Sequence, residues 1–172
     1  LRKVSFKTIN SSTLLLPEWY SILVEQRLKE TVIPRDVSTR WNSTHDLLVY
    51  YHTHKRAIKE FTSEERDNGL HDYVLTSAEW KIVAQLKEVL SILKDATIYF
   101  SRATPNLATV IPSMDYINSE FEKMTLDRDL DPAIRAAISL AKVTINKYYT
   151  KTSDVHRKAM VLHPRHKLNY FK

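Results

Sequence analysis

There is no cysteine in this 172-residue chain. That excludes disulfides, thiol nucleophiles and thiolate metal sites, and it suits a reducing compartment. Glycine is nearly missing as well, with Gly69 its one copy. A phosphate-cradling loop, a dinucleotide fingerprint and a nucleophile elbow each need several glycines. Tight β-hairpins want them too, which argues against a sheet-rich fold. Nor is there a long apolar run: Leu14-Leu15-Leu16 is the longest leucine stretch, against the roughly 20 apolar residues of a membrane span. The opening Leu1-Arg2-Lys3-Val4 is not a signal peptide. The first residue is not Met, as expected of a fragment.

What the chain does have is enough apolar content for a packed core, 43% of residues, and an uneven charge. Net charge is +6. Residues 1–60 carry ten Lys/Arg against six Asp/Glu, residues 61–132 seven against thirteen, and residues 133–172 nine against one. Two basic ends flank an acidic middle. A basic terminal block is a candidate phosphate-binding surface or a solvated helix face, and composition does not choose between them.

Helical periodicity organises most of the chain. Val83, Leu86, Leu90, Leu93, Thr97 and Phe100 are spaced 3-4-3-4-3 behind a Thr76/Glu79 capping box, which predicts a helix over about 76–100. Leu47, Tyr51, His54, Ile58 and Phe61 predict one over 42–61. Thr104-Pro105 and Asp131-Pro132 read as N-caps followed by Pro at the first helical position. The first opens a helix that Pro112 should kink or divide; the second opens one reaching about residue 150. Further helices are expected over 17–29 and 154–162. Residues 1–13 fit a helix better than a strand, while 31–40 and 163–172 read as irregular. The expected fold is all-α, an antiparallel helical bundle, with Leu86, Leu90, Leu93, Ile111, Ile138 and Ile145 in its core.

Metal and catalytic chemistry find little support. His52-x-His54 and His163-x-x-His166 lack the three or four converging ligands of a zinc site. Glu64/Glu65 and Asp127/Asp129/Asp131 lie in polar stretches where burial would not raise a carboxyl pKa. Aromatic and basic residues do interleave at Arg40-Trp41, at Lys147-Tyr148-Tyr149-Thr150-Lys151 and along residues 163–171. Such pairs can stack an unpaired base and hold its phosphate, or can simply pack in a core.

The segment PRDVSTRWNSTHDLLVYY (34–51) resembles the Arg-Trp-Asn-Ser block of hAT-superfamily DNA transposases. Three further segments resemble later blocks of that family in order: LTSAEWKIVAQLKEVLSILKDATIYFS (75–101), TPNLATVIPSMDYI (104–117) and KYYTKTSDVHRKAMVLHPRHKLNYF (147–171). Residues 1–30 look like the lead-in of copies from fungal genomes. In that family a helical insertion interrupts a ribonuclease-H-like nuclease core, whose Asp, Asp and Glu bind divalent metal. The resemblance implies that this chain begins after the second Asp and stops before the Glu. No catalytic residue, metal ligand or cofactor is therefore expected, Asp36 and Asp46 are not promoted to the triad, and no enzymatic activity is expected. A short terminal strand is all that would remain of the nuclease sheet.

The resemblance implies one domain or fragment over 1–172: lead-in helices and linker over 1–40, the helical insertion over 41–162 and an irregular tail over 163–172. It implies that Trp41 stacks on a base flipped out of hairpin DNA, with Arg40 at the backbone. Extruding a base costs a few kcal/mol, and an aromatic platform returns about 1–3 kcal/mol. Lys147, Lys151, Arg165 and Lys167 are further phosphate candidates. The family's Leu-Asp-Pro-Arg reads Leu162-His163-Pro164-Arg165 here, which makes that place more basic. The implied partner is DNA, in the nucleus, with no membrane and no small-molecule substrate. The alternative is a helical protein-interaction scaffold, or a transposase remnant, with no DNA role.

Overall fold

The computed structural model describes residues 1–100, 106–164, 167 and 170. Among them are eight α-helices and no strand, in accord with the all-α expectation. They form two compact units, Leu1–Leu90 and Ser91–Lys172.

The first unit contains α1 (Arg2–Ile9), α2 (Leu15–Glu25), α3 (Trp41–Thr53), α4 (Lys55–Phe61) and the start of α5 (Ser77–Phe100). α5 begins where its capping box places it. Thr76 Oγ1 accepts from the Glu79 backbone N–H at 3.2 Å, and a Glu79 carboxylate oxygen accepts from the Thr76 N–H at 2.8 Å. α2 stops at Glu25, short of the expected 29, because Arg27 adopts the left-handed conformation with φ 56°. The N–H groups of Arg27 and Leu28 then reach back to Val24 O and Leu23 O. This is a Schellman ending with arginine where glycine is usual, so no glycine marks it in the sequence.

The helix expected over 42–61 is two helices. His54 separates α3 from α4. Its backbone N–H and its ring Nδ1 both lie on the carbonyl of Tyr50, at 2.9 and 3.0 Å, and its ring stacks on the Tyr50 ring at 4.0 Å. The apolar stripe survives the break: Leu47, Tyr51, Ile58 and Phe61 are all buried.

They join Trp19, Ile22, Leu23, Ile33, Leu70 and Trp80 in one core cluster. Trp19 sits at its centre, fully buried, with the Phe61 ring 5.3 Å away. Its indole N–H donates to Thr31 O at 2.9 Å, which meets the polar need that burying a tryptophan creates. Tyr50 Oη donates to the same carbonyl. The irregular linker between α2 and α3 is thus held at Thr31, again at buried Ile33, and at Pro34, whose carbonyl accepts from Ser5 Oγ at 2.6 Å. At the far side, Arg66 pairs with Glu18 and Glu60 at 3.3 and 2.6 Å.

The second unit contains the rest of α5, then α6 (Val110–Leu126), α7 (Pro132–Tyr149) and α8 (Asp154–Leu162). Asp131 caps α7 by accepting from Ala133 N–H at 2.8 Å, with Pro132 in first place as expected. α6 and α7 form an antiparallel hairpin whose buried residues include Ile117, Phe121, Leu130, Ile134 and Ile138. At its open end Tyr149 Oη donates to the Asp115 carboxylate. α8 packs on the 3-10 turn Leu107–Thr109, and Met160 of the one and Ala108 of the other are buried.

Two expectations need correction here. Pro112 neither kinks nor divides a helix: it lies in the first turn of α6, where backbone N–H groups have no intrahelical acceptor anyway. The Thr104-Pro105 cap falls outside the described residues. Of the expected core residues, Ile138 is fully buried. Leu86 and Leu90 pack half-buried against the first unit's core, and Leu93, Ile111 and Ile145 are half-buried. On α5 the deeply buried residues are Trp80, Val83, Val89, Ile92 and Ala96, a row one position N-terminal to the expected 90, 93 and 97.

Candidate nucleic-acid interface

Arg40 and Trp41 stand at the start of α3, Arg40 as the capping residue in extended conformation and Trp41 as the first helical residue. Both are exposed, and Trp41 keeps 52% of its surface in solvent. An indole with half its surface in solvent is not packed as a core tryptophan is.

The corner beneath them is organised by Asp36. Its side chain is 1% exposed, yet it stays a carboxylate because it is surrounded by donors. Arg2 Nε donates to one oxygen. Thr44 Oγ1 and Ser43 Oγ donate to the other at 2.8 and 2.9 Å. Burial by itself would raise the Asp36 pKa, but the bonds from Arg2, Thr44 and Ser43 outweigh it and hold the carboxyl below its ordinary value. Ser43 Oγ also accepts from the Val37 N–H at 2.9 Å. The Ser-Thr half of the Arg-Trp-Asn-Ser-Thr run therefore closes the linker onto α3, and the Arg-Trp half is left facing out. Sequence reasoning excluded Asp36 from catalysis without finding this structural task. Ser43 and Thr44, seven and eight residues ahead, were the available signal.

The remaining sequence candidates sit in the second unit. Lys147, in the last turn of α7, and Lys151, in the turn that follows it, are exposed, with the Lys151 ammonium 5.3 Å from the Tyr148 ring centre. Lys167 is exposed. Arg165 and His166 lie outside the described residues.

The metal candidates resolve into other contacts. His54 stacks on Tyr50, and His52 is exposed on the neighbouring turn. Asp131 is a helix cap, and Asp127 accepts from the Asp129 N–H at 2.9 Å. Among the described residues no three His, Asp or Glu side chains converge as a metal-binding set. No helix among the described residues is long and apolar enough to cross a membrane.

The family model of the ZBED1 RNase-like helical domain matches residues 2–89, just over half of the chain and nearly all of the first unit. The Arg-Trp corner falls inside the match; the segments 104–117 and 147–171 fall beyond it. No curated protein and no solved structure matches. With α1 to α4 and the start of α5 covered, the chain belongs to the ZBED1 RNase-like helical domain family, a family related to hAT.

Proposed function

We propose that the chain is the DNA-binding helical portion of a hAT-type transposase, handling transposon-end or hairpin DNA in the nucleus without cleaving it. The observation that carries this reading is the half-exposed Trp41 on a corner stiffened from below by buried Asp36. A stacking platform must be accessible and must not collapse onto the protein when the base leaves. Asp36, Ser43 and Thr44 supply the second condition; position one of α3 supplies the first. Arg40 beside it takes a phosphate, and Lys147, Lys151 and Lys167 add weaker, sequence-independent phosphate contacts.

The test is fluorescence anisotropy of a labelled DNA hairpin carrying one unpaired base, at low and high salt. The wild-type chain should bind and weaken as salt rises, by about 0.9 in log-log slope per phosphate contacted. Trp41→Ala should lose about 1–3 kcal/mol of binding without a change in melting temperature. Absence of binding at low salt would overturn the DNA reading.

A second reading, a helical protein-interaction scaffold, is favoured by one feature of the second unit. Leu140 and Val143 stand exposed on α7, with no role in the DNA reading.

A further inference from the structure

α1 is eight residues long and contains no acidic residue. Val4, Ser5 and Thr8 are buried, while Arg2, Lys3, Phe6 and Lys7 are exposed. Helical geometry puts Arg2 and Phe6 in one row and Lys3 and Lys7 in the next. A phenyl ring, 60% exposed, thus stands among three cations on a single face. An isolated surface phenylalanine needs no explanation, and a few lysines on a helix are ordinarily just solvated. This face differs because it is joined to the Trp41 corner. Arg2 donates to buried Asp36, and its Nη2 lies 3.4 Å from Thr44 Oγ1. Thr44 is one turn along α3 from Trp41, as Phe6 is one turn along α1 from Arg2. At about 5–6 Å per such step, the two exposed rings lie within on the order of 20 Å of each other along the surface of the first unit.

We propose that this face of α1 is a second nucleic-acid contact, taking the single-stranded segment that continues from the base on Trp41. Phe6 stacks on a base of that segment, and Lys3 and Lys7 take its phosphates. Arg2 supplies the turn between the two platforms, its charge partly spent on Asp36. Lys7 also donates to Gly69 O at 3.3 Å and lies 4.8 Å from the Tyr73 ring centre, contacts that a phosphate would share. The combination of a cationic track with aromatic faces is the general recipe for single strands, tolerant of sequence because every base has a π-face. In the sequence Phe6-Lys7 behind Arg2-Lys3 is an aromatic-basic run like Arg40-Trp41; the helix adds that all four residues share its exposed side.

The inference rests on the DNA reading above, and the experiment separates the two. Two labelled hairpins are compared by anisotropy with the full chain: one with a single unpaired base, one with a single-stranded tail of about six nucleotides, within the range such grooves span. The wild type should bind the tailed DNA about tenfold tighter. Phe6→Ala should abolish that gain and leave the one-base hairpin within about twofold, with an unchanged melting curve because the ring is exposed. Lys3→Gln should flatten the salt slope by about 0.7 on the tailed DNA. Trp41→Ala should weaken both DNAs. If Trp41→Ala weakens binding but the tail adds nothing, or if both α1 variants keep the gain, the α1 contact is wrong and the Trp41 reading stands. If neither DNA binds, both fall together.

Discussion

Residues 1–90 bury four large aromatic side chains, Trp19, Tyr51, Phe61 and Trp80, in one cluster; in residues 91–172 Phe121 is the one aromatic buried as deeply among the described residues. The polar contacts differ in number and place rather than in reach. In the first unit, ion pairs and hydrogen bonds join segments 30 to 50 residues apart, as in Arg2–Asp36, Gln26–Glu60 and Arg66–Glu18. In the second, Tyr149–Asp115 ties the ends of one hairpin and Tyr170–Asp115 fastens the tail to it, while Lys123–Glu120 and Arg157–Asp154 span a single helical turn. In the first unit the long-range links join several pairs of segments; in the second they converge on Asp115. The family match ends at residue 89, at the boundary between the two units. Strongly exposed leucines occur in both units, Leu14 in the first and Leu126, Leu140 and Leu162 in the second.

If that contrast is real, the largest effect should come from the centre of the first core. Trp19→Ala removes a fully buried ring and leaves Thr31 O with one donor fewer. A loss of about 3–5 kcal/mol is expected, read as a shift of the urea midpoint. Hydrogen exchange gives the sharper readout: amides of α2, α3 and α4 should lose their protection together, and a loss confined to the neighbours of Trp19 would break the picture of one cooperative core.

Next in size is Asp36→Asn, expected to cost about 2 kcal/mol at neutral pH, because three donors would face an amide instead of a carboxylate. The pH dependence has a definite sign. A carboxyl whose folded pKa lies below its ordinary value of about 3.9 contributes stability that is fully present above that value. It loses the contribution as pH falls through the lowered folded value. The gap between wild type and Asp36→Asn in urea midpoint should therefore hold from neutral pH to about pH 5 and close below about pH 4. A gap unchanged at pH 3 would mean that the charge of Asp36 is not what holds the corner.

Asp36 also marks the limit of what the sequence discloses. Helix existence was legible almost throughout because its signals are local: the Thr76/Glu79 box and the Asp131-Pro132 cap act within four residues, and both appear where expected. The end of α2 was not legible because Arg27 occupies a place glycine normally announces. The break at His54 was not, because a ring competes for a carbonyl in the middle of an unbroken apolar stripe. At the candidate interface, Arg40 and Trp41 were identified by resemblance, and the structure exposes both. What closes the corner was hidden, since it depends on Arg2, 34 residues from Asp36. The Arg2-Lys3 and Phe6-Lys7 pairs of α1 are present in the sequence, but which side of the helix stays exposed is not legible there, because two turns leave little periodicity to read.

The smallest effect should come from the second unit, and it tests the contrast from the other side. Leu140 is 71% exposed on α7, so Leu140→Gln removes little that folding buried. Its effect on the urea midpoint should stay within about 0.5 kcal/mol, and the midpoint should not depend on protein concentration for either chain. A loss above about 1 kcal/mol that grows with concentration would mean that another copy covers this face in solution, because only association makes stability depend on concentration. The second unit would then owe part of its stability to a partner, where the first owes its own to Trp19 and Asp36.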